Sequence, residues 1–265
     1  MRRTHRDREG LFLLEGPLAI RDALLTGAHV REVFVSDGGG RQEWEPLAVA
    51  QGVPIWRVAP AVAVTLTDTT TPQGAVAIVE APHAALSEVI ATADLVVVLD
   101  DVRDPGNAGT VVRSSAAAAA SCVIFTDGCV DPLHPKTVRA SAGALFQVRV
   151  VRDVAVVKAL HACRSAGLEV LAADAARGTA CDRLDLTSRV AIVLGNEGRG
   201  VTEASRSLAD DFVSVPLPGS VESLNVGIAG SILLFEAVRQ RRAAEERHDN
   251  RRARAAAVYP GAKSE

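Results

Sequence analysis

With 265 residues, 48% hydrophobic and 23% charged, the chain is long enough for one large domain or two modest ones, and its composition is that of a soluble globular protein rather than a disordered or fibrous one. No apolar run approaches the roughly 18 residues of a membrane span, and the Arg-rich start "MRRTHRDREG" is not followed by the apolar segment and cleavage site of a signal peptide, so no membrane partner and a cytoplasmic location are expected. The net charge of −3 hides an asymmetry: residues 1–10 and 239–265 hold 12 Lys/Arg against 6 Asp/Glu, leaving 17 against 26 in the body, so the ends are either solvated tails or contacts for a polyanion.

Apolar periodicity predicts a first unit over residues 11–81. A helix over Glu15–Leu25 leads to a strand over Arg31–Ser36, a helix over Gln42–Gln51, a strand over Val53–Val58 and a strand over Ala75–Glu80. A polar loop punctuated by Pro and Gly, "TDTTTPQG" at residues 67–74, precedes the last strand. Residues 82–93 read as a linker running into a short helix.

The second unit, from residue 94, alternates strand and helix more plainly. Strands are predicted over Asp94–Asp101, Cys122–Asp127, Phe146–Val151, Leu168–Ala173, Val190–Gly195 and Asp211–Leu217. Between them fall helices over Asn107–Ser121, Pro135–Ala142 and Asp153–Ala166, a short one near Thr202, and a long one from about Leu224. Strands separated by helices predict an α/β fold with a parallel sheet covered on both faces. Cys122, Cys129, Cys163 and Cys181 are spaced too irregularly for a metal or redox pair, so buried free thiols and no metal are expected.

Ligands of open α/β sheets sit beyond the carboxyl ends of the strands, which directs attention to three loops. In "LDDVRDPGNAGTVVRSS", Pro105 and Gly106 turn the chain and Asn107 is placed to cap a helix carrying Arg113; a plain capped helix with a surface arginine is the alternative. In "IVLGNEGRGVTE", Gly195, Gly198 and Gly200 follow a buried strand in the order G-x-x-G-x-G, which matches neither a dinucleotide fingerprint nor a P-loop, and so argues for close backbone approach more than for phosphate binding. In "VPLPGSVESLNVGIAGSILLFEAV", serine hydroxyls and an amide open a helix that nonetheless accepts Gly227 and Gly230, each costing about 1 kcal/mol against alanine. Glycines are tolerated there if the helix backbone must press on a neighbour.

Taken in order, "NAGTVVRSS", "LGNEGRG" and "VPLPGSVESLNVGIAGSILLFE" resemble the three motifs of the SpoU (TrmH-like) branch of the SPOUT RNA 2′-O-ribose methyltransferases, while "FLLEGPLAIRDALL" and "TTTPQGAVAIV" resemble that family's small ribosomal-protein-like α/β substrate-binding domain. The resemblance covers residues 8–242. It implies an RNA substrate-binding domain over 1–81, a linker over 82–93, a methyltransferase domain with a deep trefoil knot over 94–242 and a basic tail over 243–265. It also implies S-adenosylmethionine bent within the knot, a homodimer, and methyl transfer to a ribose 2′-hydroxyl of RNA without a metal. Ribosomal RNA is the favoured substrate and transfer RNA the second.

By motif position the resemblance places Gly195, Val215 and Leu224 on the cofactor, with Leu194, Asn196, Leu217 and Ser223 beside them. Arg113 matches the family's essential arginine. Because a guanidinium is almost never deprotonated in a protein, Arg113 is read as the grip on an RNA phosphate rather than as the base. Asn107, Glu197 and Asn225 are expected to orient Arg113, the hydroxyl and the cofactor, although Glu197 could equally be the structural partner of a basic residue. Two other classes remain for comparison. A catalytically silent RNA-binding protein of the same fold is opposed by the intact polar set; a dinucleotide oxidoreductase needs the GxGxxG that is missing.

Overall fold

The computed structural model describes residues 3–38, 40–67 and 73–258, with side chains through residue 248. Residues 68–72 of the polar loop and residues 259–265 of the basic tail lie outside the described residues. The chain begins with α1 (Arg3–Glu9), β1 (Leu11–Glu15), α2 (Pro17–Leu25), β2 (Val30–Ser36), α3 (Glu45–Ala50), β3 (Ile55–Val58), α4 (Pro60–Thr65) and β4 (Ala75–Glu80). It continues with α5 (Leu86–Ile90), β5 (Leu95–Leu99), α6 (Pro105–Ala117), β6 (Cys122–Thr126), α7 (Pro135–Ser141), β7 (Arg149–Val154) and α8 (Val156–Ser165). The last elements are β8 (Glu169–Ala173), β9 (Thr179–Ala180), β10 (Val190–Leu194), α9 (Glu203–Leu208), β11 (Asp211–Ser214) and α10 (Val226–Val258).

Two sheets result. The first is mixed, in the order β1-β4-β2-β3, with only β2 and β3 parallel. The second is the expected parallel sheet, seven strands in the order β7-β6-β5-β10-β8-β11-β9, every pairing parallel. Its central strands β5, β6 and β10 are buried at every residue, as near-continuous Val/Ile/Leu runs require when helices cover both faces. Alternate residues feed two cores: Leu95, Val97 and Leu99 pack with α6 and α10, Val96 and Val98 with α5 and α8.

Several boundaries differ from the pattern-based expectation. Leu11–Glu15 is a strand, paired antiparallel to β4, and the helix expected from Glu15 starts only at Pro17, whose fixed φ suits a first helical position. The strand expected from Phe146 begins at Arg149, because Ala144–Phe146 forms a 3-10 turn that lays Phe146 on Phe12, ring centroids 6.1 Å apart. β11 stops at Ser214, short of Leu217, and α10 runs past Arg242 as one continuous helix. Among the described residues no helix is long and apolar enough to cross a membrane.

The two sheets share a core. Phe12, Leu14 and Val33 of the first belong to the same buried cluster as Leu95 and Phe125 of the second and Leu145 of the turn before β7. The predominantly charged helix α1 bolts them together with ion pairs from Arg3 to Asp153, from Arg152 to Asp7 (2.8 Å) and from Arg6 to Asp131, the last with both side chains only 5% exposed. The other oxygen of Asp131 accepts from Leu133 N at 2.9 Å. Part of the N-terminal basic charge is therefore committed to acids of the body.

Removing one partner of a buried, hydrogen-bonded ion pair leaves a desolvated charge behind. Arg6→Met is expected to lower unfolding stability by about 3–5 kcal/mol, measured by urea denaturation, with Arg6→Met/Asp131→Leu recovering much of the loss. The cysteines are free; burial is the main cause that pushes the Cys122 and Cys163 thiols up to about 12. Neither is expected to react with iodoacetamide at pH 8 until the protein is unfolded, which mass spectrometry of alkylated peptides reads directly.

Candidate active site and cofactor pocket

α6 begins earlier than its sequence suggests. Asp104, not Asn107, is its N-cap: the Asp104 carboxylate accepts from Asn107 N at 2.8 Å, and Pro105 occupies the first turn. Capping by Asp104 leaves the Asn107 side chain for another use. Its Nδ2 donates to Glu197 Oε1 at 2.7 Å, and its Oδ1 accepts from Asn225 Nδ2 at 2.8 Å. Asn225 in turn accepts, through Oδ1, from Gly227 N at 2.9 Å and Ile228 N at 3.2 Å, so it caps α10. Three loops, far apart in sequence, are thus stitched into one polar chain, Asn225–Asn107–Glu197.

Glu197 pairs with an amide and makes no ion pair with any described residue. Arg113 stands apart from the chain. It is exposed on α6 and has no hydrogen bond or ion pair among the described residues. Six residues along a helix advance about 9 Å and turn about 240° beyond a full revolution, so Asn107 and Arg113 leave different faces. The expectation that Asn107, Glu197 and Asn225 orient Arg113 is not met within one chain.

Next to Glu197 opens a cavity of about 280 Å³. All seven expected cofactor residues line it: Leu194, Gly195, Asn196, Val215, Leu217, Ser223 and Leu224. The loop after β10 is drawn back on itself by reciprocal hydrogen bonds between Asn196 and Gly200, at 2.9 and 2.8 Å. The Asn196 side chain serves this loop instead of the cavity, accepting from Gly198 N at 3.0 Å and donating to Asp101 O at 3.0 Å. A Cβ on Gly195 would lie 2.2 Å from Gly200 C and from Val201 N, an impossible approach to backbone, so glycine is required there.

The far wall is α10. A Cβ on Gly230 would lie 2.5 Å from Leu194 Cδ1, and one on Gly227 3.1 Å from the Thr110 side chain of α6. The two helices also share a hydrogen bond between the Ser114 and Ser231 hydroxyls at 2.6 Å. Close approach therefore accounts for both glycines.

Sequence reasoning missed two charged residues on the cavity wall. Asp174 follows β8 directly and is paired with Arg206 of α9 at 2.7 Å. Burial by itself would push the Asp174 carboxyl up, but Arg206 and the backbone N–H groups of Ala176 and Arg177 prevail and hold it below the usual carboxylate range. Its place at the carboxyl end of a parallel strand was a usable signal; its pairing with Arg206, 32 residues on, was not.

The cavity combines apolar walls (Leu194, Val213, Leu217, Leu224, Leu233) with exposed loop backbone, two serines and one ion pair, a donor set that suits a nucleoside carrying an amino-acid arm. A parallel α/β sheet whose carboxyl-end loops build such a cavity, with a polar chain at its mouth, defines an enzyme that works with a nucleoside-type cofactor. Residues 94–235 match the SpoU rRNA Methylase family and residues 1–77 the MRM3-like substrate binding domain, and the chain belongs to the SpoU rRNA methylase family. It is 31% identical over 233 residues to 23S rRNA (guanosine(2553)-2′-O)-methyltransferase RlmP of Bacillus subtilis, covering 88% of this chain and 90% of that one. It is 34% identical over 248 residues to 23S rRNA (uridine(2479)-2′-O)-methyltransferase of Streptomyces viridochromogenes, covering 90% and 86%. The crystal structure of the SpoU methyltransferase AviRb from Streptomyces viridochromogenes, in complex with AdoMet, superposes with a TM-score of 0.80 at 32% identity over 91% of this chain and 94% of that one.

Gly230→Ala separates the two consequences of helix crowding. Improved helix propensity of about 1 kcal/mol acts against the displacement of Leu194, a flexible side chain on the cavity wall. The variant is expected to keep its melting temperature within a few degrees while losing at least tenfold in affinity for S-adenosylhomocysteine by titration calorimetry. Unchanged affinity would remove Leu194 from the binding wall.

Proposed function

We propose that the protein transfers a methyl group from S-adenosylmethionine to a ribose 2′-hydroxyl of ribosomal RNA. The observation that carries this reading is the Asn225–Asn107–Glu197 chain meeting a cavity lined by the loops that carry Glu197 and Asn225. Support for ribosomal rather than transfer RNA comes from the relatives named for 23S rRNA, which match along both units of the chain, the N-terminal one included. The cytoplasm is the compartment this reading implies.

S-adenosylmethionine, when bound, supplies a methyl carbon made electrophilic by the attached sulfonium. The residues of the chain do the rest. Backbone at Gly195, Val215 and Leu224 would hold the nucleoside, with Leu194, Leu217 and Ser223 beside it and Asn196 shaping the loop. Glu197, fixed by Asn107, accepts a hydrogen bond from the ribose hydroxyl and directs its lone pair at the cavity. Holding the hydroxyl in place against the bound cofactor would supply much of the rate. Arg113, exposed and without a partner among the described residues, grips an RNA phosphate and, reaching the ribose from across the proposed homodimer, offsets developing alkoxide charge, and the released proton leaves to phosphate or water.

The division of labour follows the sequence units: residues 1–81 receive RNA, 82–93 link, 94–242 carry the chemistry and the remainder adds basic charge. The match of residues 94–235 to the SpoU rRNA Methylase family supports the threaded, knotted reading. A homodimer is supported by Ile228, Ile232 and Phe235, a helical stripe on α10 that is 38–52% exposed.

Two substitutions at one position test the assignment of Arg113. Arg113→Ala is expected to abolish methyl transfer to unmodified 23S rRNA transcript while leaving S-adenosylhomocysteine affinity within a few-fold. Arg113→Lys should fail as well, since a point charge does not reproduce a planar two-pronged grip. Normal turnover by the lysine variant, followed with labelled S-adenosylmethionine, would refute the bidentate role.

A further inference from the structure

Beside the polar chain, on the loops after β5 and β10, lies a second constellation that the reaction as described does not use. Asp101, the second residue beyond β5, holds a left-handed backbone conformation at φ 59°, sparsely populated for any residue but glycine. Its carbonyl accepts from Asn196 Nδ2 at 3.0 Å. Its carboxylate lies between two arginines: Oδ1 accepts from Arg103 Nε at 2.8 Å, and Oδ2 from Arg199 Nη2. The carboxylate is 16% exposed, the arginine side chains 64% and 65%. One carboxylate thus anchors two guanidiniums, and each arginine has one nitrogen bonded to it and the larger part of its side chain in solvent.

The arrangement carries a net positive charge and leaves planar guanidinium donors facing solvent. Those are the requirements for a phosphodiester, which accepts paired N–H donors from planar guanidinium groups. Its location narrows the ligand further. Arg103 stands one residue before Asp104, the cap of α6, and Arg199 two residues after Glu197, so both sit on the segments that carry the polar chain. The geometry points to Arg103 and Arg199, held by Asp101, as a clamp for an RNA phosphate neighbouring the target ribose. This rests on the proposed RNA methyl transfer and adds a second phosphate contact to that of Arg113. Two held phosphates fix the direction of the strand as well as its position, which one contact cannot do.

The test uses the full chain and unmodified 23S rRNA transcript. Arg103→Ala and Arg199→Ala are each expected to weaken transcript binding several-fold and to reduce the salt slope of log K by about one, and the double variant by about two. S-adenosylhomocysteine affinity and melting temperature should hold. Asp101→Asn keeps both cations while loosening their anchor, so binding and salt slope should persist while the single-turnover methylation rate falls at least tenfold. If the double variant kept the wild-type salt slope, or instead lost S-adenosylhomocysteine binding and thermal stability, the three residues would be a staple of the glycine-rich loop and the clamp would be wrong. A wild-type chain that neither bound nor methylated the transcript would overturn the underlying function, and the clamp with it, a result distinct from an active wild type with indifferent variants.

Discussion

The close approach of α10 to α6 and to the end of β10 is the constraint on which the site depends. Helices usually pack 8–10 Å apart, at a distance set by the side chains between them. Here the contact is made by Gly227, Gly230 and Ser231 against Thr110, Leu194 and Ser114. Only because the helix comes this near can Asn225, its N-cap, reach the first turn of α6, where Asn107 accepts its amide at 2.8 Å. A larger residue on that face would move the cap, break the polar chain and displace Leu194 into the cavity, so the propensity lost to two glycines is small beside what they permit.

Economy of side chains marks the remainder of the site. The loop after β10 is shaped by Asn196 bonding to the backbone of its own turn and to Asp101 O, and it is anchored behind by Asp100, whose buried carboxylate accepts from Thr202 N and Ser205 Oγ, both at 2.6 Å. Hydrogen bonds to a buried carboxylate rigidify more than they bind. The cavity is lined by a loop whose shape is fixed before any ligand arrives, which lowers the ordering cost of binding.

How far the sequence discloses this depends on whether the partners are local. The strands of the parallel sheet are legible because they are continuous apolar runs between polar stops, and the three loops because glycine, asparagine and serine there break a pattern dominated by alanine and valine. α1 is not legible: it is a charged heptapeptide whose acid partners Asp131 and Asp153 lie more than 120 residues away. Two-residue β9 and the Val/Ala-alternating α4 carry too little pattern to separate strand, helix and loop. Within the site the motif residues are found by position, but their division of work is not. Asn107 looks like a cap until Asp104 is seen capping in its place, and nothing local says that Asp101 gathers Arg103 and Arg199.

The joint between the two units bears on how a large RNA can be positioned. A flexible linker lets a recognition domain find its target but leaves the reactive group to search, whereas a shared apolar core transmits position. This chain has the second arrangement. Phe12 lies on Phe146, Arg139 reaches Glu15 at 3.3 Å, and α1 crosses from one unit to pair with acids of the other. α7, which carries Arg139, also packs against α6 so tightly that a Cβ on Gly109 would lie 2.6 Å from Thr137 O. Contacts therefore run without interruption from β1 through α7 to the helix that presents Asn107, so that RNA bound to the first unit, as proposed above, would be held in register with the polar chain.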